Sequence, residues 1–254
     1  MAKQTAVSSD LLDDLGTIKV PKSGDVLANR LQQQILSGAY PPGAPLPTER
    51  ELVENTNLSR GSVREALHIL ESQGLITRRA GRYGGSIVSR PSDELLAGHI
   101  NLFARGLRVK LSALIEARQA LDPTVAYLAA RNRTEADLQS LRAISERLDA
   151  AAASDLPGFL DENAKWHLAI AVASHNDLLR AFTHSISEMM LQASKLENFA
   201  PQETRLVVTK THRRILAAIE AQDADAAKRR SERDVQAYAR HVEAALLATA
   251  SRPG

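Results

Sequence analysis

The chain has 254 residues, of which 44% are hydrophobic and 24% are charged, and its formal net charge is +2. This composition predicts one or two folded domains and excludes a largely disordered chain. Because cysteine is absent, disulfide scaffolds, thiolate zinc sites, iron–sulfur clusters and cysteine nucleophiles are excluded. No apolar stretch could cross a bilayer and the N-terminus lacks a signal-peptide pattern, so we expect a cytoplasmic protein without a membrane partner.

The positive charge is unevenly distributed along the chain. Residues 1–20 are polar and aperiodic, which predicts a flexible tail. Residues 19–92 contain ten Lys or Arg and six Asp or Glu, whereas residues 93–254 contain 21 of each sign. This asymmetry indicates nucleic-acid binding by the N-terminal part, although four excess charges are weak evidence alone.

Two helices are predicted first. One should end at Gly38, before a Pro-Pro-Gly turn, and its apolar residues recur at helical spacing: Val26, Leu27, Leu31 and Ile35. A short second helix begins at Thr48, because Glu51 three residues later completes a capping box, and it ends near residues 55–57.

A third helix and a hairpin follow. Ser59 is a candidate N-cap, and the helix buries Val63 and Leu67 and stops at Gly74. Residues 75–79 and 86–88 are predicted strands around a glycine-rich turn. Three helices and a β-hairpin form a winged helix-turn-helix over residues 21–90, with a linker at Pro91.

The remainder, residues 91–254, shows only helical periodicity. Breaks fall near residue 134 and at residues 155–158, 174–177, 200–201 and 222–225. The pattern predicts an all-α antiparallel helical bundle, so the fold class is mainly α.

The start of the third helix carries groups suited to reading DNA. Arg60 and Arg64 are one turn apart, opposite the apolar face, and arginine can bind guanine through two hydrogen bonds. Gly61 leaves room against the groove, Arg50 could hold a phosphate, and Arg82 could reach the minor groove. The alternative is that these arginines are surface groups paired with neighbouring glutamates.

The segments LPTEREL and LSRGSVREAL, followed by a glycine-rich wing, resemble the winged-helix domain of the GntR family of bacterial transcription regulators over about residues 24–90. The resemblance implies DNA contact by Arg50, Arg60 and Arg64. It places four further residues close to the DNA: Ser59, Gly61, Ser62 and Gly81. It also implies a homodimer that binds an inverted repeat in a double-stranded operator.

Residues 95–248 resemble the FCD ligand-binding domain of the fatty-acid-regulator subgroup of this family, on NAKWHLAIAVASHNDLL, THRRILAAI and DADAAKRRSERDV. The resemblance implies that residues 91–254 bind an effector and dimerise. Many members hold a divalent metal with one Asp and three His. The corresponding residues here are Asn163, His167, His212 and Asp234, so the Asp has become Asn and the third His has become Asp.

The substituted set still suits a metal. Two His and one carboxylate form a facial triad for Zn²⁺, Ni²⁺, Mn²⁺ or Fe²⁺, with Asn163 as a weak further ligand. Two alternatives stay open: a metal-free pocket in which the same residues bind the effector, or an Asp234 that only pairs with Arg230. Arg118 interrupts an apolar face, so it is the candidate partner of an effector carboxylate, unless it forms a buried bridge with a neighbouring acid.

We therefore expect a ligand-responsive, sequence-specific repressor that is controlled by a small carboxylic or sugar acid. One alternative is a metal-dependent hydrolase or oxygenase that uses the two-His, one-carboxylate set, but no general base or nucleophile is in place, so we expect no enzyme. The other is a structural nucleic-acid-binding protein that has no effector.

Overall fold

The structure is a computed structural model, and it describes residues 21–79, 85–154, 156–197 and 201–250. The expected tail, residues 1–20, and the predicted DNA contacts Gly81 and Arg82 lie outside the described residues. The chain divides into two compact units, and the division falls between Pro91 and Ser92.

The first unit is a winged helix-turn-helix. Its elements are α1 (Ser23–Leu36), α2 (Glu49–Thr56), α3 (Arg60–Ser72), β1 (Ile76–Arg79) and β2 (Gly85–Val88). The strands are antiparallel, with Ile76 opposite Val88. An isolated bridge between Pro45 and Ile87 extends this small sheet, which the sequence pattern did not predict. The predicted fold of the N-terminal part is thereby confirmed.

The caps of α2 and α3 are those predicted. Thr48 and Glu51 form a complete capping box, and the Ser59 hydroxyl accepts a hydrogen bond from the Ser62 amide. The end of α3 differs slightly from the prediction. Gly74 has a φ of +70°, and the Leu75 amide donates to the Leu70 carbonyl at 3.0 Å, so Leu75 completes the helix end rather than beginning β1.

The core of the first unit is centred on one face of α3. Val63, Ala66, Leu67 and Leu70 are at most 1% exposed. The buried residues of α1, such as Leu27 and Leu31, belong to the same core cluster as this face. Val26 is 53% exposed, because adjacent residues of a helix point in different directions and Leu27 occupies the buried one.

The second unit is helical throughout its described residues. Its elements are α4 (Asp93–Gly106), α5 (Leu111–Asn132), α6 (Glu135–Ser154), α7 (Leu156–Ala173), α8 (Asp177–Glu197), α9 (Gln202–Glu220) and α10 (Ala224–Ala250). The break expected at residues 155–158 was placed too far along the chain. Pro157 and Gly158 lie in the first turn of α7, where a proline costs no intrahelical hydrogen bond.

The main core of the second unit lies between α5, α6, α7, α9 and α10, around residues such as Leu141, Leu148, Trp166 and Ile219. Small alanines, including Ala129 and Ala171, let these helices approach closely. None of the described helices combines the length and the apolar character needed to span a membrane. The all-helical prediction for this part is confirmed.

Candidate DNA interface and ligand cavity

Two arginines at the start of α3 are exposed to solvent, on the side of the helix opposite its buried face. Arg60 and Arg64 are exposed, whereas Val63 and Leu67, on the opposite face, are almost completely buried. Gly61 is also exposed, and a Cβ there would meet only the Ser59 hydroxyl at an ordinary 3.7 Å. The packing of this unit therefore does not require glycine at position 61. A small residue at this position is instead suited to the close approach of another molecule.

The acidic residues near these arginines have other partners. Glu65 lies 3.7 Å from the ammonium of Lys22, and Glu51 belongs to the cap of α2. Arg50 lies 3.8 Å from Glu54, with both side chains mostly exposed. Within the described ranges neither Arg60 nor Arg64 forms an ion pair, so the alternative in which glutamates neutralise them finds no support there.

The start of α1 is fastened to the start of α3, a contact that the sequence analysis did not predict. The Ser23 hydroxyl donates to the Ser62 hydroxyl at 2.9 Å, and Ser62 in turn lies 3.0 Å from the Ser59 hydroxyl. A Cβ at Gly24 would lie 2.8 Å from a carboxylate oxygen of Glu65. This close approach fixes the orientation of the helix that carries Arg60 and Arg64.

The second unit contains a cavity of about 410 Å³ between α5, α7, α8, α9 and α10. Every residue predicted for the effector or metal site lies on its wall. The lining residues on α5 and α7 are Arg118, Phe159, Leu160, Asn163, Ala164 and His167. Those on the other three helices include Ser187, Met190, Ser194, Glu203, Thr204, Thr211, His212, Asp234 and Tyr238. The wall combines these polar side chains with apolar ones such as Phe159, Leu160 and Met190, as in many small-molecule sites.

Three of the predicted metal ligands meet at one end of this cavity. His167, His212 and Asp234 each offer one donor atom, and these atoms lie within 4.8 Å of one another. Both histidines are buried, and His212 Nε2 lies 3.4 Å from Asp234 Oδ2. Arg230, the alternative partner considered for Asp234, donates to the Arg214 carbonyl. The partner that the structure gives Asp234 is therefore His212.

Two buried polar atoms at the cavity have no hydrogen-bond partner among the described residues: Asn163 Oδ1 and His212 Nδ1. An unpaired buried polar atom is costly unless a ligand, an ion or water satisfies it. A carbonyl oxygen, two imidazoles and a carboxylate are suitable donors for a divalent transition metal. The residues present therefore fit a metal, with Asn163 as the weakest ligand of the set.

Arg118 is buried and has two partners. Its Nε and Nη2 atoms donate to Asp122 Oδ2 at 2.9 and 2.8 Å. Its Nη2 atom also lies 2.7 Å from Nε2 and 3.1 Å from Nδ1 of His167, and its guanidinium lies 5.7 Å from the centre of the Tyr238 ring. The buried bridge considered for Arg118 is present, yet the same side chain also faces the cavity.

Burial governs the protonation of this group of residues. It holds the pKa of His167 well below its usual value, and the nearby guanidinium of Arg118 acts in the same direction. Burial raises the pKa of Asp122, although Arg118 opposes that change. The neutral ring of His167 has one nitrogen with a free lone pair, and this neutral form can bind a metal.

Sequence reasoning considered a neighbouring acid as the partner of Arg118 without choosing one, and the structure identifies Asp122, at the one-turn spacing usual for a helical ion pair. One further feature of the site was missed. Trp166 is stacked on His212, with ring centroids 3.6 Å apart. No local pattern signals that contact, because the two residues lie on different helices.

Comparison with known proteins gives consistent results for both units. The description "Bacterial regulatory proteins, gntR family" matches residues 24–83, and "FCD domain" matches residues 113–237. The Glc operon transcriptional activator of Escherichia coli (strain K12) is 31% identical over 204 residues, which cover 77% of this chain and 79% of that protein.

The galactonate operon transcriptional repressor of the same strain is 29% identical over 212 residues, which cover 80% of this chain and 90% of that protein. A solved structure of Streptococcus agalactiae GntR superposes with a TM-score of 0.62 at 24% identity, over 85% of this chain and 99% of that one. The structural likeness concerns the fold.

Proposed function

Since the chain belongs to the GntR family of bacterial regulatory proteins and carries an FCD domain, we propose that it is a transcriptional repressor whose affinity for an operator depends on a small carboxylic acid. Members of this family are DNA-binding transcription regulators and not enzymes. The hydrolase or oxygenase alternative is therefore set aside. The observation that carries the proposal is a helical cavity lined by His167, His212 and Asp234, on the same chain as an exposed pair of arginines at the start of a helix.

We infer that α3 enters the major groove. Arg60 and Arg64 would contact base edges, while Arg50 and the Ser59 and Ser62 hydroxyls would contact phosphates, with Gly61 allowing close approach. We propose Gly81 as a further contact on the basis of the resemblance, and Arg82 as a contact with the minor groove or the backbone on the basis of its place in the glycine-rich turn predicted from the sequence. Support comes from the exposure of Arg60 and Arg64 and from the rigid attachment of α3 to α1.

A homodimer that binds an inverted repeat is part of the proposal, with residues 91–254 as the effector-binding and dimerisation domain. The side chains of Leu102, Phe103 and Leu107, in and just after α4, are 72%, 64% and 65% exposed. Large apolar side chains clustered on a surface are typical of an interface. We propose a second copy of this chain as the partner that covers them.

The effector is proposed to be a small carboxylic or sugar acid that occupies the cavity. Arg118 supplies a positive charge for the carboxylate, and hydroxyls of Ser187, Thr204 and Thr211 on the wall can bind hydroxyl groups of the ligand. One relative acts on a galactonate operon as a repressor and another is an activator. We propose repression, relieved or strengthened as the acid shifts the population of two arrangements of the dimer.

We further propose that His167, His212 and Asp234 hold Zn²⁺, Ni²⁺, Mn²⁺ or Fe²⁺, with Asn163 as a fourth ligand. A bound cation would supply Lewis-acid attraction for a carboxylate of the effector. Support comes from the 4.8 Å cluster of donor atoms and from the unpaired oxygen of Asn163.

The proposal can be tested in three steps. Selection from random DNA would identify an operator sequence. A thermal-shift screen of hydroxy and sugar acids would identify an effector. Gel shifts with that operator would then measure its affinity with and without the effector. We expect an acid that raises the Tm to change operator affinity about tenfold or more, a coupling within the usual range. DNA binding that no acid in the screen alters would contradict the effector proposal.

Elemental analysis of the purified protein tests the metal separately. We expect about one transition-metal ion per chain, or uptake of one when Zn²⁺ or Ni²⁺ is added. If the protein contains only traces of metal and takes up none, the metal proposal is wrong. The remaining proposal is then a metal-free pocket in which the same residues bind the effector directly.

A further inference from the structure

The guanidinium of Arg118 occupies space beside the ring nitrogens of His167, where a metal bound to that histidine would have to lie. Its Nη2 atom is 2.7 Å from one ring nitrogen of His167 and 3.1 Å from the other. A neutral imidazole has one protonated nitrogen and one nitrogen with a lone pair. Whichever tautomer His167 adopts, the nitrogen with the lone pair is within hydrogen-bond distance of the guanidinium.

Charge leads to the same conclusion as geometry. Arginine remains protonated in proteins, and a dication at the His167 ring would be a second positive centre in a buried environment. The carboxylate of Asp122 compensates one positive charge through its two hydrogen bonds with Arg118. Asp234 is the single carboxylate in the cluster of metal donors.

We infer that Arg118 and a divalent cation are alternative partners of His167, so that the site holds its own guanidinium until a metal displaces it. The inference rests on the proposed metal site. It adds that Arg118 lowers the affinity of that site for metal. It also gives the effector a regulatory role, because an acid that draws Nη2 toward its own carboxylate frees His167 for the metal.

The first test is a calorimetric titration of Zn²⁺ or Ni²⁺ into the full-length protein and the double variant Arg118→Met/Asp122→Asn. The double substitution removes one positive and one negative charge, so the net charge of the pair is unchanged. We expect the variant to bind metal about tenfold or more tightly, which is the effect of removing one hydrogen bond to a charged group.

Two further variants isolate the cause. Asp122→Asn alone keeps the guanidinium and removes a nearby anion, so it should bind metal more weakly than the wild type. Arg142→Met/Glu220→Gln removes another ion pair of the same unit, with Arg142 Nε 2.6 Å from Glu220 Oε1. This matched pair lies outside the cavity wall, and its loss should leave metal affinity unchanged.

A measurement on the wild-type protein covers the case in which the double variant does not fold. In protein labelled with ¹⁵N-arginine, the Arg118 Nε–H signal is assigned by its loss in Arg118→Lys. We expect that signal to shift in proportion to bound Zn²⁺, while the Arg142 signal stays in place. An Arg118 signal that is unchanged at metal saturation would overturn the inference.

The outcomes separate the two proposals. Equal metal affinities of wild type and double variant would overturn the role of Arg118 and leave the metal site standing. Metal uptake by the double variant alone would support the inference in its strongest form. Uptake by neither protein would overturn both the metal site and the inference.

Discussion

The indole ring of Trp166 lies flat against the imidazole of His212, with centroids 3.6 Å apart and planes within 3° of parallel. Trp166 is 1% exposed, and the chain contains one tryptophan. The fluorescence of the protein at tryptophan wavelengths therefore arises beside one of the proposed metal ligands. A change of charge or coordination at His212 acts on this fluorophore directly.

Titration with Zn²⁺ or Ni²⁺ should therefore produce a saturable change in Trp166 emission. We expect the change to disappear in His212→Ala, because the metal would lose the ligand that contacts the indole. His175→Ala is the control, since His175 is an exposed histidine that pairs with Asp137 on the surface. A response that persists in His212→Ala would place the metal elsewhere.

Replacement of either exposed arginine at the start of α3 should weaken sequence preference. A base contact by arginine discriminates between bases by about 1–3 kcal/mol, so Arg60→Ala or Arg64→Ala should lower the ratio of affinities for selected and scrambled DNA about tenfold or more. Competition gel shifts measure this ratio. Arg30→Ala, an exposed arginine on α1, is the control and should keep its preference. An unchanged preference in both variants would refute the assignment of α3 as the recognition helix.

Arg50 should behave differently, because we assign it to a phosphate. Arg50→Ala should weaken binding to selected and scrambled DNA alike. It should also reduce the slope of log affinity against log salt by about one, which is the signature of one lost phosphate contact. Binding isotherms at four or more salt concentrations measure the slope. A loss of preference at constant slope would mean that Arg50 contacts a base.

Stability of the second unit should depend on pH through Asp137. Partial burial raises the pKa of Asp137, yet hydrogen bonds from the Thr134 hydroxyl and amide and from His175 together hold it below its usual value. A carboxylate whose pKa is lower in the folded state stabilises the fold at pH values above its unfolded pKa, about 3.9. This stabilisation is lost as the pH falls through the folded pKa.

Asp137→Asn should accordingly be less stable than the wild type by roughly 1 kcal/mol at pH 7, because it removes the carboxylate that accepts hydrogen bonds from the Thr134 amide and hydroxyl at the start of α6. The difference should shrink as the pH falls below the unfolded pKa of the aspartate. Urea denaturation at several pH values measures it. A difference that stays constant down to pH 2 would show that packing, and not charge, accounts for the effect.

The exposed apolar residues of α4 should control assembly. Phe103→Asp places a charge in the proposed interface, so we expect a shift from dimer toward monomer at micromolar concentration, with the helical content preserved. Sedimentation velocity measures the shift. Val172→Asp, on α7 and 42% exposed in the wild type, is the control and should remain dimeric. A dimeric Phe103→Asp would exclude this surface as the interface.

The features that were predictable from sequence depend on residues close together in the chain. The capping box of Thr48 and Glu51 and the N-cap of Ser59 each act over three residues, and both formed as expected. Leu27, Leu31 and Ile35 recur every four residues and are buried, whereas Val26 lies outside this spacing and is 53% exposed, although it is apolar.

Contacts between distant residues required more than local pattern. His167, His212 and Asp234 were grouped by resemblance to a family, and the structure brings their donor atoms together. The hydrogen bond of Ser23 with Ser62 spans 39 residues. It depends on how α1 and α3 pack, and helical periodicity identifies which face is buried without stating which atoms meet across it.

The face of α3 that holds the helix in place and the face that carries its arginines share no residue. Val63 and Leu67 are at most 1% exposed, while Arg60 and Arg64 are exposed. Exposed positions of this kind tolerate substitution with little loss of stability. Under the proposed contact of these arginines with DNA bases, two copies that arise by gene duplication can diverge at positions 60 and 64 and acquire separate target genes while both still fold.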